Sequence, residues 1–309
     1  MSGEPVTVWL PDPSAEAVMG GLPDGVRGDV WTGGSDLPPS ADEVEVVVPP
    51  FAVLSPKLSL LAQLPRLRLV QLLSAGAEQV IPYVPSGVTL ATARGAHDDS
   101  VAEWVLGVIL AHARRLPRFV RAQDESRWDF TQTGTLVGKT MLILGYGSIG
   151  EAVARMAAPF GVTLLPVARR PRAGVAGISE LPSLLPKADV VVLLVPVTPA
   201  TTGMVDAKFL AHMADGALLV NAARGAIVDT GALVAELRSG RLYAALDVTE
   251  PEPLPSGHPL WSAPGLILTP HVAGASGHPM ARALAVAKTQ LIRYVTGEPL
   301  LNVVGEGGY

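Results

Sequence analysis

The sequence predicts an α/β protein made of doubly wound, mostly parallel sheets. Three observations predict it. Short β-branched and apolar runs alternate with helix-like stretches along the chain, and a βαβα alternation puts helices on both faces of a parallel sheet. A length of 309 residues suggests about two domains, at roughly 150 residues each. A glycine-spaced loop, Gly145-Tyr146-Gly147-Ser148-Ile149-Gly150, joins one apolar run to one helical run.

The elements follow in order. Val6–Leu10 is apolar and closed by Pro11 and Pro13; residues 44–48 are closed by Pro49 and Pro50; residues 67–73 end in Ser74-Ala75-Gly76. All three read as buried strands with loops at their C-terminal ends. Residues 55–64 read as helical. Ser100-Val101-Ala102-Glu103 matches a capping box, so a long helix is expected after it, with Val101, Val105, Val108 and Ile109 on one face. Pro117 is expected to fall near the end of that helix or to bend it. Thr140–Leu144 reads as a strand, residues 151–159 as a helix and 162–167 as the next strand. Further strands are expected over 190–195, 217–220, 244–247 and 266–269, with helices over 206–213 and 231–239. A last helix, over about 279–295, is stopped by Gly297.

Composition narrows the function classes. Apolar residues make up 49% of the chain and charged residues 17%, enough to build two cores. Residues 190–205 lie between Asp189 and Asp206 and contain Pro196 and Pro199, so they are too short and too broken to span a membrane. There is no cysteine, which excludes disulfides, thiolate metal sites and cysteine nucleophiles. The chain opens without a basic and apolar leader, and a cytoplasmic location is expected. A net charge of -5 argues against a nucleic-acid binder, which carries a basic face. His97, His112, His212, His258 and His278 are scattered without metal-ligand spacing, so no metal is expected.

The glycine loop has the spacing of a dinucleotide fingerprint. The first glycine permits a tight turn, the second lets the backbone approach a pyrophosphate, and the third lets strand and helix pack closely. The helix N-terminus offers N–H groups and partial positive charge to the phosphates. An enzyme that prefers NAD carries an acid about 20 residues on, for the ribose 2′-hydroxyl. Here the stretch is Val167-Ala168-Arg169-Arg170-Pro171-Arg172. Guanidinium groups bind a 2′-phosphate that an acid would repel. NADP(H) is therefore the expected cofactor, with Arg169 foremost and Arg170 next, and NAD(H) is the second choice.

Three later segments each follow a strand: Asn221-Ala222-Ala223-Arg224-Gly225, Asp247 through Glu252-Pro253, and Thr269-Pro270-His271. Ligands of open α/β sheets bind at the carboxyl ends of the strands, so Arg224, Glu252 and His271 converge there. Arginine matches a carboxylate in bidentate fashion. Histidine gives a proton in reduction and takes one in oxidation. A nearby carboxylate orients an imidazole and favours its protonated form. Taken singly, each has a structural alternative: a turn or packing histidine, an arginine that caps a helix or pairs with Asp229, a solvated glutamate.

These residues resemble the D-isomer-specific 2-hydroxyacid dehydrogenases. The match is strong from Val137-Gly138-Lys139 through Gly150, at residues 221–225, at Ala244-Ala245-Leu246-Asp247-Val248 with Glu252-Pro253, and at Thr269-Pro270-His271. Val101-Ala102-Glu103 and Ser74-Ala75-Gly76-Ala77-Glu78 add weaker matches. The resemblance implies two Rossmann-like, doubly wound domains. A dinucleotide-binding domain of about 97–276 is inserted into a discontinuous, flavodoxin-like substrate-binding domain of about 1–96 and 277–309. It implies that Arg224 binds the substrate carboxylate and oxo group, that Glu252 and His271 form the acid/base pair, and that Asp247 contacts the nicotinamide side of the cofactor. Pro196, Ala222, Ala223, His271 and Gly274 are expected as further cofactor contacts. Backbone N–H groups around Gly76 should hold the carboxylate, with Ala75 and the Ser74 hydroxyl beside them. A homodimer built on the cofactor domains is implied, as is hinge closure near residues 97 and 276.

Departures within the resemblance point to a branch. Residues 168–172 are similar to the corresponding stretch of glyoxylate/hydroxypyruvate reductases. Ala75 stands where phosphite dehydrogenases carry a lysine, and Thr269-Pro270 where formate dehydrogenases carry a glutamine-containing segment. No C-terminal regulatory domain of the long phosphoglycerate dehydrogenases is expected. The first reading is a reductase for a small 2-oxo acid. A dinucleotide-sensing corepressor and a biosynthetic dehydrogenase for an unusual oxo acid stay open beside it. Phe51, Trp128 and His278 border the expected pocket, with packing the leading role for Phe51 and Trp128.

Overall fold

The computed structural model describes residues 4–51 and 55–305. Its backbone forms two compact units, one of Met1–His97 with Gly277–Tyr309, the other of Asp98–Ser276.

The first unit carries strands β1 (Val6–Leu10), β2 (Val26–Val30), β3 (Val44–Val47), β4 (Leu69–Gln71) and β5 (Thr89–Ala91). They lie in the order β2-β1-β3-β4-β5, parallel throughout, which is the flavodoxin-like order. Strand alternation explains the two cores. Val8, Leu10, Val46 and Leu69 face helices α1 (Ala15–Val18) and α8 (Pro279–Thr296, eighth in chain order). Trp9, Val47 and Val70 face Leu58 and Leu61 of the 3-10 helix Ser55–Gln63. That segment was expected to be helical, and the tighter helix replaces an α-helix. Strand β2 carries Arg27, Gly28 and Asp29 at an edge of the sheet, so its apolar signal is broken. Strand β5 is only three residues long. Neither stood out in the sequence.

The second unit holds strands β6 (Thr140–Leu144), β7 (Thr163–Ala168), β8 (Ala176–Gly177), β9 (Val190–Leu193), β10 (Leu218–Asn221), β11 (Tyr243–Leu246) and β12 (Leu266–Leu268). The order is β12-β11-β10-β9-β6-β7-β8, again all parallel. Counted within this unit, that is the 3-2-1-4-5-6 order of dinucleotide-binding sheets with one strand added at the edge. The chain reverses direction across the sheet between β6 and β9, so the binding crevice belongs at their C-terminal ends. Strands β9 and β10 are buried along their whole length, as their unbroken apolar runs require. The helices are α2 (Asp98–Ala113), α3 (Leu116–Asp124), α4 (Ser148–Ala157), α5 (Leu181–Leu184), α6 (Ala207–His212) and α7 (Thr230–Ser239). Among the described residues no helix is long and apolar enough to cross a membrane.

One expectation is corrected and a second is resolved. Helix α2 begins at Asp98, so Ser100 lies inside its first turn and is not a cap. Asp98 and Asp99 supply the negative charge that a helix N-terminus favours, and the Ser100 hydroxyl accepts a hydrogen bond from Ser276 Oγ at 2.7 Å. Pro117 falls near the end of α2, as expected, four positions past Ala113, and does not bend it. The break comes at Arg115, whose φ of 53° is left-handed, and Pro117 sits in the first turn of α3, where its missing N–H has no partner to lose. Gly297 does stop α8, at φ 72°.

Candidate active site

The glycine loop leaves β6 and turns directly into α4. Gly145 has φ 105°, and a Cβ there would lie 2.5 Å from the Leu194 carbonyl carbon, so only glycine fits between β6 and β9. A Cβ on Gly150 would stand 2.7 Å from the Gly145 carbonyl oxygen, which is the close strand–helix packing expected of the third glycine. The first bond of the helix runs from Glu151 N to Gly147 O at 2.9 Å. Gly147 caps the helix without a side-chain bond. The loop is therefore a backbone cradle at a helix N-terminus, with Tyr146, Ser148 and Ile149 on it, and it fits a pyrophosphate.

Beside it, Arg169 and Arg170 are exposed just past the end of β7. The third arginine of the stretch does something the sequence did not reveal. Arg172 reaches back over the glycine loop, donates from Nη2 to Tyr146 O at 2.9 Å and lies 5.7 Å from the Tyr146 ring centroid. It also meets Glu151 Oε1 at 3.4 Å, so the carboxylate nearest the cradle has a cationic neighbour.

At the end of β10 the Asn221 amide staples the next turn. Its Oδ1 accepts from Ala223 N at 3.0 Å, and its Nδ2 donates to Arg224 O at 2.9 Å. Arg224 is half-buried, with Nη1 donating to Ala223 O at 2.7 Å. Asp229, its structural alternative partner, caps α7 through Ala232 N at 3.0 Å. A Cβ on Gly225 would collide with the Thr249 backbone carbonyl. The loops carrying Arg224 and Glu252 thus pack main chain to main chain, and only glycine allows it.

Strands β11 and β12 bring the remaining pair together. Glu252 Oε1 and His271 Nδ1 are 2.6 Å apart. His271 has φ 53°, a sparsely populated conformation for a residue with a Cβ and one that tends to mark functional sites. The surroundings hold it there. His271 N donates to Asp247 O at 2.7 Å. The Asp247 carboxylate, only 3% exposed, accepts from Thr269 Oγ1 at 2.6 Å, Val272 N at 2.9 Å and Ala273 N at 2.8 Å. Three of its roughly four acceptor positions thus serve the histidine loop. Sequence reading placed Asp247 near the site but missed this work. The only available signal was its position directly after a buried strand.

All of these residues stand at the C-terminal ends of one parallel sheet, with Pro196 after β9 and Ala222, Ala223 and Gly274 on the same loops. Ser74, Ala75 and Gly76 lie in the first unit, past the end of β4, where Ser74 Oγ donates to Gly76 O at 2.6 Å.

Residues 106–273 match the model of the "D-isomer specific 2-hydroxyacid dehydrogenase, NAD binding domain". The chain is 33% identical over 249 residues to a glyoxylate reductase of Thermofilum pendens, covering 76% of this chain and 74% of that one. It belongs to the D-isomer specific 2-hydroxyacid dehydrogenase family. As a member of this dehydrogenase family it is an oxidoreductase. It is also 31% identical over 214 residues to the human glyoxylate reductase/hydroxypyruvate reductase, a match covering 65% of each chain and so just under two thirds of that relative. A D-isomer specific 2-hydroxyacid dehydrogenase from Xanthobacter autotrophicus Py2, solved in complex with NADPH and MES, superposes with a TM-score of 0.84 at 32% identity, over 98% of both chains.

Proposed function

We propose that this dehydrogenase reduces a small 2-oxo acid with NADPH, glyoxylate and hydroxypyruvate being the first substrates to try. The observation that carries the reading is the Glu252–His271 pair, 2.6 Å apart, on the sheet end that also bears Arg224 and the backbone cradle. A relative named as a glyoxylate reductase and a structural neighbour holding NADPH support it.

When bound, the nicotinamide supplies the hydride for C2 of the oxo acid. The chain supplies the rest. Residues 145–150 and the α4 N-terminus hold the pyrophosphate, and Arg169, Arg170 and Arg172 face the 2′-phosphate end. Pro196, Ala222, Ala223, Asp247 and Gly274 line the remainder. Arg224 grips the carboxylate and orients the carbonyl. Glu252 holds Nδ1 of His271, so Nε2 is the nitrogen that passes a proton to the substrate oxygen during reduction and takes it back during oxidation. The loop Ser74–Ala75–Gly76 offers backbone N–H groups to the carboxylate.

Following the loss of reduced nicotinamide absorbance over a panel of 2-oxo acids tests this. Faster turnover with NADPH than with NADH is expected. Equal or better use of NADH refutes the arginine assignment, and no turnover with either cofactor refutes the activity.

We also propose that the protein is a homodimer in the cytoplasm. Leu116, Val120, Trp128, Phe130 and Val137 are all exposed within one short segment, Trp128 at 96% and Phe130 at 89%, so the packing expected for Trp128 is not found within its own chain. The segment is held in shape by Asp129, which accepts from Arg118 at 2.7 Å and pairs with Arg127 at 2.9 Å. Those two guanidinium groups keep its carboxyl well below the usual carboxylate range. Exposed large apolar side chains concentrated in one segment suit contact with a second copy. The lack of cysteine fits a reducing compartment.

A further inference from the structure

The loop that leaves β4 has its carbonyl groups tied down one after another. Leu72 O accepts from Gln71 Nε2 at 2.8 Å, Ser74 O from Ala93 N at 2.8 Å, and Gly76 O from Ser74 Oγ at 2.6 Å. Leu73 O is held by a side chain far along the sequence: His97 Nε2, at 3.0 Å. A carbonyl only accepts, so Nε2 is the donor in this bond and carries a hydrogen. His97 is 7% exposed, and its Nδ1 is buried with no hydrogen-bond partner among the described residues. The Phe51 ring stands edge-on to it, centroids 6.0 Å apart, so the half-exposed Phe51 borders this histidine.

A buried ring with one orphaned nitrogen is a poor packing residue. A phenyl group would fill the same space without leaving a buried polar atom unsatisfied. What the imidazole adds is the bond to Leu73 O. In a trans peptide unit the C=O and the following N–H are coplanar and point in opposite directions. Fixing the Leu73 carbonyl therefore fixes the direction of the Ser74 N–H.

We infer that His97 is a positioning residue for substrate binding: it sets the orientation of the Leu73–Ser74 peptide and thereby the Ser74 N–H, one of the backbone N–H groups of the loop that receives the substrate carboxylate. This rests on the reading of residues 74–76 as the carboxylate loop.

The test compares wild type with His97→Phe, which keeps the ring and loses the donor, and His97→Gln, which keeps a side-chain N–H donor. Three quantities are read: KM and kcat for glyoxylate, NADPH affinity by fluorescence titration, and binding of oxalate to the NADPH-loaded protein by calorimetry. In His97→Phe, KM for glyoxylate and Kd for oxalate rise by roughly tenfold, the fold-change of one lost hydrogen bond. NADPH affinity stays unchanged, kcat falls less than KM rises, and His97→Gln recovers most of the loss. A His97→Phe enzyme with unchanged KM and oxalate affinity overturns the inference alone. Wild-type protein that neither reduces a 2-oxo acid nor binds oxalate overturns the functional reading and the inference with it. His97→Leu repeats the measurement without an aromatic ring, and failure of both donor-free variants to fold assigns His97 to the fold and overturns the proposal.

Discussion

In the proposed mechanism Arg224, Glu252 and His271 divide the chemistry by residue type, and substitutions should separate their parts. Arg224→Ala is expected to raise KM for the oxo acid and lower kcat together, because the carboxylate anchor also aims the carbonyl. Arg224→Lys should recover little, since an ammonium lacks the planar fork. Steady-state kinetics on one substrate checks both. His271→Ala should lower kcat by roughly 10²–10⁴-fold with NADPH binding intact, and near-normal turnover would remove it from the mechanism. Arg169→Ala should weaken NADPH by roughly tenfold or more while leaving NADH little changed. The placement of the proposed trio at the strand ends was readable in the sequence because each member follows its own strand. Arg172 was not, because its contact with Tyr146 joins residues from two different strand ends.

At the scale of elements, the candidate active site depends on how neighbouring loops are fastened. Asp247 ties the end of β11 to the histidine loop through three hydrogen bonds. Asp247→Ala strands those donors in a buried place, so a stability loss of about 2–4 kcal/mol is expected, read as a drop in Tm, with kcat falling as His271 loses its anchor. Gly225→Ala should displace the loop of Glu252, lowering kcat without touching any reacting group. At the opposite end of the sheet, Lys139 Nζ and Thr140 N meet the Asp189 carboxylate at 2.7 and 2.9 Å, joining the starts of β6 and β9. Burial alone would raise Asp189, but the Lys139 ammonium and the Thr140 N–H outweigh it and hold its pKa below the ordinary 3.8. A carboxyl depressed by folding adds stability that is present above the unfolded value and lost as pH falls through the folded one. Wild type should therefore exceed Asp189→Asn by about 0.5–1 kcal/mol near neutral pH, a small margin because the pair is half-exposed and screened. The gap should close below a pH of about 4, and urea melts at several pH values would show it.

For the whole molecule, the exposed segment around Trp128 and Phe130 makes the strongest prediction. Wild type should be a dimer by light scattering, and Trp128→Ser with Phe130→Ser should shift it to monomer while leaving the secondary structure intact. A wild-type monomer would refute the assembly. The same segment shows why a sequence reading of Trp128 as packed fails. An apolar residue's type says that it is to be buried, but not whether its own chain does the burying.

Local chemistry by itself determined the α/β class, the position of the glycine loop, the strands whose ends carry Arg224, Glu252 and His271, and the missing acid after β7. Each of these is written in the period of apolar residues, in the freedom of glycine, or in the charge of a side chain next to its own strand. Tertiary structure decided what depends on contact between distant segments. It set the strand orders of the two sheets and the edge strand β2 with its broken apolar pattern. It packed the Gly225 and Thr249 backbones together and held His271 at positive φ by an aspartate 24 positions earlier. It also brought His97 Nε2 within hydrogen-bond distance of the Leu73 carbonyl. These arrangements arise from close approach of main chain and buried polar groups, and no short-range periodicity in a sequence encodes a long-range distance.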